Sequence, residues 1–210
     1  MTASGINGRV ELDGRRVRGE RTRERLLSAA VELFSSRGFE ATTMKDLAAA
    51  AGIQAPAIYN HFESKELVLV AATTWALEDF LAQVVAVDDP NAPPEQRLEQ
   101  LVRRHVLYQI QNERIASAND LVMAMELSED VVPEAAQRRL RELMRGYLDL
   151  TTQLVAELTD ESLPTRVSAL VILSTCDRVL SWYKPGGTMS AEEVADTYWM
   201  LIRGMLRLDA

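Results

Sequence analysis

The side chains that most often carry catalysis or bind metals are few and widely separated in this sequence. It holds two histidines, His61 and His105, and a single cysteine, Cys176. A single cysteine excludes an internal disulfide, and these residues are too few to complete the ligand set of a structural zinc site. The sequence also lacks a phosphate-binding glycine loop, a nucleophile elbow and a His-Glu-x-x-His motif. It therefore predicts a protein that is not an enzyme, binds no cofactor or metal, and works in a reducing cytoplasm.

Polar side chains between residues 42 and 65 have a different kind of spacing, which suits a nucleic acid. Thr42, Thr43 and Lys45 surround the start of a predicted helix, where hydroxyls, an ammonium group and free N–H groups favour a backbone phosphate. A second, short helix presents Gln54, Asn60 and small apolar side chains outward. In the major groove an amide can bridge adenine and a methyl group can contact thymine. The pattern predicts that one helix sets the register on phosphates and the next reads bases.

Three predicted helices position these residues. A stripe of apolar side chains with helical spacing predicts the first helix, from near Arg21 to Gly38, where glycine suits a left-handed cap. Thr43 and Asp46 have the spacing of a capping box before a second helix, which ends at Gly52. A first-turn proline and an i, i+4 apolar pair predict a short third helix: Pro56, Ile58 and Phe62. Two helices joined by a tight glycine-containing turn predict a helix-turn-helix.

The sequence TTMKDLAAAAGI at 42–53, followed by PAIYNHF at 56–62 and SKEL at 64–67, closely resembles the DNA-binding domain of the TetR family of repressors. The resemblance covers about residues 21–68 and implies phosphate contacts for Tyr59, His61 and Lys65. For Tyr59 and His61 the alternative is packing at the junction of the third and fourth helices. The family usually has serine where this chain has Gln54, so the third helix either has a weaker cap or uses Gln54 to reach a base edge. The predicted DNA-binding residues are Thr42, Thr43, Lys45, Gln54, Ala55, Pro56, Ala57, Tyr59, Asn60, His61 and Lys65.

Charge is divided unevenly along the chain. Residues 1–70 hold ten Arg and Lys against nine Asp and Glu, whereas the remainder holds thirteen against twenty-two, which together give the net charge of −8. Residues 1–20 are predicted to form a flexible basic arm whose arginines settle against DNA phosphates. The longest uncharged apolar run, Leu67 to Leu77, is too short to cross a bilayer, and no signal peptide is expected. The expected partners therefore include double-stranded operator DNA and no membrane.

The remainder of the chain is predicted to be helical throughout, which gives an all-α protein of about nine helices. A fourth helix starts at Ser64 and runs to about Val87, where the proline-rich loop Asp88–Pro94 ends it. Further helices are predicted near 95–115, 119–127, 133–160, 164–183 and 190–208. The predicted organisation is a flexible basic arm at 1–20, a helix-turn-helix DNA-binding domain at 21–68, and a ligand-binding and dimerisation domain at 69–210.

The last two predicted helices have apolar surfaces suited to pairing with a second copy of the chain. Val167–Tyr183 is apolar on more than one face, which predicts burial on both sides. The last helix begins with Ser190 and Glu193 in capping-box spacing and carries an apolar stripe. Two such helices can supply half of an intersubunit four-helix bundle, the mode that the TetR family uses, and the alternative is an intramolecular core alone. A homodimer is expected because two recognition helices about 34 Å apart reach successive major grooves.

A ligand pocket is expected among the helices of the second domain, where helical bundles generally place one. Methionine and tyrosine side chains suit a hydrophobic cavity, and arginines can neutralise an anionic ligand. The predicted ligand-binding residues are His105, Tyr108, Arg114, Met123, Met144, Tyr147, Arg178 and Trp182. For each of them the alternative is a place in the ordinary core or in a salt bridge.

A further segment resembles part of known regulators, and the resemblance narrows the class of ligand that is expected. SWYKPGG at 181–187, followed by SAEE at 190–193, resembles the C-terminal signature of TetR-type regulators of lipid, sterol or aromatic-acid catabolism, several of which respond to acyl-CoA thioesters. Pro-Gly-Gly also suits a plain turn between the dimer helices. The expected function is a repressor released from its operator by a hydrophobic small molecule, with an acyl-CoA thioester as the narrower candidate. The alternative is a helix-turn-helix regulator whose C-terminal domain only dimerises or binds a protein partner.

Overall fold

The structure is a computed structural model. It describes the backbone of residues 4–113, 133–160 and 163–208, with the side chains from residue 19 onward. All regular secondary structure in these ranges is helical, which confirms the predicted all-α fold. The eight α-helices described there are α1 (Ser4–Arg37), α2 (Met44–Ala50), α3 (Ala55–Ile58), α4 (Lys65–Val84), α5 (Pro94–Gln111), α6 (Glu134–Leu158), α7 (Thr165–Asp177) and α8 (Ala191–Leu206). The helix predicted at 119–127 lies outside the described residues.

The first helix is much longer than the apolar pattern predicts. It begins at Ser4 instead of near Arg21, so a continuous helix replaces most of the flexible arm expected for residues 1–20. The apolar stripe begins only near Arg21, and residues 4–20 combine four arginines, which favour a helix, with four glycines, which do not. The sequence pattern therefore did not predict where α1 begins.

The chain divides into two compact units, Met1–Thr73 and Thr74–Ala210, with the division inside α4. In the N-terminal unit, α2 packs against α1 and α3. The predicted glycine turns are confirmed, because Gly38 and Gly52 have φ of 83° and 68°, a backbone region that favours glycine. The core of this unit is made of the predicted apolar stripes: Leu26, Leu27, Ala30, Val31, Phe34, Leu47, Ala48, Ile58 and Phe62.

Helix α4 is long and apolar enough to cross a membrane by length and composition alone, since it extends beyond the apolar run that the sequence marks. Its buried residues Val68, Ala72, Ala76 and Phe80 recur every fourth position, and 44% of its most apolar window is buried. A stripe of this kind is typical of the core helix of a soluble protein.

The C-terminal unit is built from the end of α4 and from α5 to α8. Helix α5 packs against α6, α7 and α8, and α6 also packs against α7. The helix predicted at 164–183 ends earlier, at Asp177, and the chain continues as a 3-10 turn, Val179–Ser181, as helix ends often do. The capping box at the start of α8 is confirmed, because Ser190 accepts from the N–H of Glu193 at 3.2 Å and Glu193 accepts from the N–H of Ser190 at 2.7 Å.

Candidate functional site

The outer surface of α3 carries the side chains that the sequence predicts to read DNA. Gln54, Tyr59, Asn60 and His61 are exposed, as is Pro56. The ring of Tyr59 is 57% exposed, so packing at the junction of α3 and α4 does not account for it. Ala55 and Ala57 are half-buried beside them. On the opposite side of the helix Ile58 is fully buried and Phe62 is 8% exposed, and this apolar side anchors α3 in the unit.

Gln54 occupies the N-cap position of α3 without capping it. Its backbone is extended, with φ of −73° and ψ of 144°, but its side chain makes no hydrogen bond to the helix. The first turn of α3 therefore lacks the side-chain acceptor that serine would supply at this position. Within the described residues the exposed amide is bound to nothing else, so it can donate and accept toward a base edge.

The start of α2 is held by a complete capping box. The hydroxyl and the N–H of Thr43 donate to Oδ2 of Asp46 at 2.5 and 3.0 Å, and the N–H of Asp46 donates to the Thr43 hydroxyl oxygen at 3.2 Å. The hydrogen bond from the Thr43 hydroxyl, followed by that from its backbone, lowers the pKa of Asp46. Thr43 thus acts first as the cap of α2. The next residue but one, Lys45, is exposed and makes no hydrogen bond or ion pair within the described part of the chain.

The predicted phosphate contact of the Thr42 hydroxyl is wrong. The side chain of Thr42 is fully buried, and its hydroxyl donates to the carbonyl oxygen of Gly38 at 2.8 Å. A buried hydroxyl with a backbone partner ties the loop between α1 and α2 to the end of α1, and it offers no hydrogen to a ligand.

Lys65, for which the sequence predicts a phosphate contact, instead binds another part of the same unit. Its Nζ donates to the carbonyl oxygen of Phe39 at 2.7 Å and lies 4.1 Å from the centre of the Phe39 ring. The ammonium group at the start of α4 therefore holds the loop that precedes α2. Sequence reasoning missed this pairing because the two residues are 26 positions apart. It also missed Arg23, whose guanidinium lies 5.5 Å from the centre of the Phe62 ring and links α1 to the end of α3.

The C-terminal unit contains a cavity of about 570 Å³. This volume lies in the range of small-molecule sites, roughly 300–1,000 Å³. The apolar part of its wall comes from α4, α6 and α7: Leu77, Phe80, Met144, Leu148, Leu170 and Leu173. Of the predicted ligand-binding residues, Met144, Tyr147 and Arg178 line it. Arg114 and Met123 lie outside the described residues.

Four exposed arginines, Arg141, Arg145, Arg166 and Arg178, line the same cavity and form what we call the arginine rim. Arg166 pairs with the exposed Asp149 at 3.3 Å, and Arg141 donates to the side chain of Gln137 at 3.2 Å. The guanidinium groups of Arg145 and Arg178 have neither an ion pair nor a hydrogen bond within the described ranges. The sequence singled out only Arg178. Among the described residues that line the cavity there are four arginines and one carboxylate, that of Asp177, so this part of the wall carries a net positive charge within an acidic half of the chain.

A chain of hydrogen bonds lies behind the wall of the cavity, and we call it the polar floor; its members are Tyr147, His105, Asp177 and Gln109. Nε2 of His105 lies 2.9 Å from Oδ1 of Asp177, and Nδ1 of His105 lies 3.0 Å from the hydroxyl oxygen of Tyr147. The side-chain amide of Gln109 donates to the same Asp177 oxygen at 3.1 Å. His105 is 1% exposed and does not line the cavity, so its predicted ligand contact is corrected to the core role that was the alternative. Burial raises the pKa of Tyr147 well above its ordinary value, which keeps the phenol neutral.

Phe80 packs edge-on against the three other rings near the floor, with centroid distances of 4.9 Å to His105, 5.2 Å to Tyr108 and 5.4 Å to Tyr147. Such edge contacts restrict the rings. Tyr108 donates its hydroxyl hydrogen to Asp79 at 2.7 Å and does not line the cavity, which corrects its predicted ligand contact. Burial, and next the bond to Asp79, raise the pKa of Tyr108.

Trp182 lies on a separate apolar groove, which corrects its predicted place in the cavity. Its Nε1 donates to the hydroxyl of Tyr198 at 3.2 Å, and the two rings are stacked at 6.2 Å. The rest of the groove, which we call the α7/α8 groove, is lined by Val167, Leu170, Val171, Ser174, Thr175 and Arg178. Leu170, Ser174 and Arg178 also line the cavity, so α7 forms a wall of both.

Large apolar side chains are exposed along α7 and α8. They include Leu170, Val171, Met200 and Leu201, with Met200 and Leu201 61% and 62% exposed. Apolar side chains grouped in this way on a surface indicate a protein contact.

Comparisons with known proteins agree with this layout. The family model "Bacterial regulatory proteins, tetR family" matches residues 26–72, and the model "Tetracyclin repressor-like, C-terminal domain" matches residues 91–206. The HTH-type transcriptional repressor KstR2 of Mycolicibacterium smegmatis is 27% identical over 194 residues, which cover 87% of this chain and 89% of KstR2.

Two solved structures have a similar fold. The structure of AibR in complex with isovaleryl coenzyme A and operator DNA matches this chain with a TM-score of 0.73 at 21% identity. The match covers 86% of this chain and 97% of AibR. The ketosteroid transcriptional regulator KstR2 of Mycobacterium tuberculosis has a TM-score of 0.69 at 25% identity and covers 87% of this chain and 93% of KstR2. With both units matched by family models, the chain belongs to the TetR family of bacterial regulatory proteins and is a DNA-binding transcriptional regulator.

Proposed function

We propose that this chain is a cytoplasmic, homodimeric repressor that leaves its operator when an anionic and largely hydrophobic small molecule, in the first place an acyl-CoA thioester, fills the cavity of the C-terminal unit. The observation that carries the proposal is the combination of an apolar cavity with the arginine rim. The KstR2 relatives, which are named transcriptional repressors, support the same direction of control.

The chemistry of the cavity selects among small molecules. Its apolar wall favours a hydrocarbon by the usual gain from burying apolar surface. Arginines present planar donor groups that bind phosphate and carboxylate, and the guanidinium groups of two members of the rim, Arg145 and Arg178, make no ion pair within the described residues. An acyl-CoA thioester supplies both parts, an acyl chain for the cavity and phosphates for its rim.

Release from DNA requires that the effector bind one state of the protein better than the other. Leu77 and Phe80 of α4 line the cavity, and α4 begins at Lys65 directly after the helix-turn-helix. We propose that a filled cavity tilts α4 and so changes the spacing of the two recognition helices in the dimer. A coupling of about 1 to 3 kcal/mol, which is typical of such systems, would weaken operator binding roughly 5- to 150-fold.

A contact between two copies of α7 and α8 is the proposed dimer interface. The exposed Val171, Met200 and Leu201 would be covered by the same residues of a second copy, as twofold symmetry requires. The alternative function, in which the C-terminal unit only dimerises, is less favoured because that unit also holds an open cavity.

The test is a titration of the purified protein against its own upstream DNA, with an unrelated duplex as competitor, at fixed salt. Acyl-CoA thioesters, free fatty acids and coenzyme A alone are added in separate arms. We expect selective DNA binding, and release by the thioesters at lower concentration than by the other two.

Arg145→Gln should raise the thioester concentration needed for release, since it removes an unpaired guanidinium from the rim. Arg138→Gln is the matched control, because Arg138 lies on the same helix, pairs with Glu134 at 2.9 Å and does not line the cavity. Selective DNA binding that no thioester changes would refute the proposed effector, and loss of selectivity itself would refute the operator-binding role.

A further inference from the structure

The hydrogen bond between Tyr147 and His105 has a direction that its neighbours determine. In a neutral imidazole one ring nitrogen donates and the other accepts. Nε2 of His105 lies 2.9 Å from a carboxylate oxygen of Asp177 and 3.1 Å from the amide nitrogen of Gln109, which itself donates to that oxygen. Because a carboxylate oxygen can only accept, we assign the hydrogen of the neutral ring to Nε2. Nδ1 is then the acceptor, and the Tyr147 hydroxyl donates its single hydrogen to it at 3.0 Å.

Tyr147 therefore faces the cavity as an acceptor. Its ring is 8% exposed and lines the cavity, its only hydrogen is bound to His105, and the remaining lone pair of its oxygen has no donor in the described chain. Asp177, the other member of the polar floor that lines the cavity, also carries an acceptor group. Among the described residues, Tyr147 and Asp177 thus offer acceptors to the cavity, apart from the arginine donors of its rim.

The surrounding contacts hold this arrangement in place. The amide of Gln109 donates to the Asp177 oxygen that already accepts from His105. The ring of Phe80 packs edge-on against both His105 and Tyr147. For a neutral His105, reversal of the Tyr147 bond would require the hydrogen to move from Nε2 to Nδ1, which would leave two acceptors facing each other at Asp177.

We propose that the effector carries a hydroxyl group in its apolar part, and that Tyr147 is the specificity-determining residue that accepts the hydrogen of this hydroxyl. The inference rests on the proposed function and narrows its ligand class to hydroxylated acyl thioesters. A ketone in the same place would bring an acceptor against an acceptor, and a plain hydrocarbon would leave the Tyr147 oxygen buried without a donor, which is costly. His105, Asp177 and Gln109 are positioning residues, because they act through Tyr147.

The first test compares ligands on the native protein. A series of straight-chain acyl-CoA thioesters of increasing length is prepared in three matched forms, which carry a hydroxyl, a ketone or no substituent on the penultimate carbon. Dissociation constants are measured by calorimetry without DNA, and release is measured with operator DNA. At the chain length that reaches the floor, the hydroxyl form should bind roughly tenfold more tightly than either other form, or better.

The second test removes the acceptor. Tyr147→Phe should bind all three forms with similar affinity, and it should bind the unsubstituted thioester more tightly than the native protein does, because no hydroxyl oxygen is left buried without a donor. Tyr108→Phe is the matched control, because it deletes the hydroxyl of another buried tyrosine, one that bonds to Asp79 outside the cavity. The control should retain the preference for the hydroxyl form.

The outcomes separate this inference from the proposed function. Release by thioesters with the ketone form equal or superior to the hydroxyl form would overturn the inference and leave the proposed function intact. A Tyr147→Phe protein that still prefers the hydroxyl form would also overturn it. If that variant bound none of the three, the ranking by the native protein would decide alone. Failure of every thioester to bind the native protein would instead refute the proposed function and the inference with it.

Discussion

Replacing Lys65 with methionine distinguishes an internal role of this residue from a role in phosphate binding. Methionine keeps much of the apolar stem and removes the ammonium group, which donates to the Phe39 carbonyl at 2.7 Å and lies 4.1 Å from the Phe39 ring. A hydrogen bond from a charged donor contributes roughly 1.5 to 3 kcal/mol, and a cation–π contact at an exposed site about 0.5 to 1 kcal/mol.

The site is half-buried, so water replaces part of what is lost, and the free energy of unfolding of the N-terminal unit should fall by about 1 to 2 kcal/mol. Amide hydrogen exchange in α1 to α3 is the appropriate assay. Tryptophan fluorescence would not report on this unit, because Trp75, Trp182 and Trp199 all belong to the other one. A change of this size corresponds to exchange about 5 to 30 times faster.

The salt dependence of operator binding supplies the opposing test. Each phosphate contact adds about 0.9 to the slope of log affinity against log salt. Lys65→Met should therefore leave the slope unchanged, while Lys45→Met, at an exposed lysine that makes no hydrogen bond or ion pair in the described residues, should lower the slope by about 1 and leave hydrogen exchange unchanged. If Lys65→Met lowered the slope and left exchange unaffected, Lys65 would be a phosphate ligand and the internal role would be refuted.

Three further predictions follow from the helix ends and the apolar surface. Gln54→Ser should stabilise the N-terminal unit by about 1 kcal/mol by capping α3 and should relax operator preference, as measured on single-base operator variants; an unchanged preference would show that Gln54 reads no base. The lowered pKa of Asp46 means that its cap stabilises the unit above the ordinary carboxyl pKa of 3.8 and is lost as pH falls through the lower folded value, so melting points of native and Asp46→Asn proteins should converge in acid. Leu201→Glu should convert dimer to monomer in sedimentation, whereas Val87→Glu, at another exposed apolar residue outside α7 and α8, should not; equal effects would argue against the α7/α8 interface.

The helix-turn-helix was predictable because its signals are local. Each signal acts on residues that are close in the sequence. The signals are glycine at a left-handed position, a threonine that caps α2 four residues before its first buried leucine, and a proline in the first turn of α3. The exposure of Tyr59 agrees with the burial of Ile58, since successive side chains on a helix point about 100° apart. The exposure of Gln54 does not follow from helical spacing, because residues four apart share a face.

The residues whose roles were predicted wrongly or missed have roles that depend instead on contacts between segments distant in the sequence. Lys65 is a residue type that often binds phosphate, and only the folded loop brings the Phe39 carbonyl close to it. Arg141 and Arg145 are four residues apart on α6, a spacing that in a sequence indicates a solvated helix face. Their approach to Arg166 and Arg178 appears only when α6 packs against α7. His105 was misplaced by the same cause, because its partner Asp177 is 72 residues away.

Three side chains of the C-terminal unit, those of Leu170, Ser174 and Arg178, line both the cavity and the α7/α8 groove. If the groove is the subunit contact, ligand binding and self-association share these three residues and must be linked thermodynamically in both directions. The affinity for effector would then depend on protein concentration, and the cellular abundance of the regulator would help to set the effector level to which it responds.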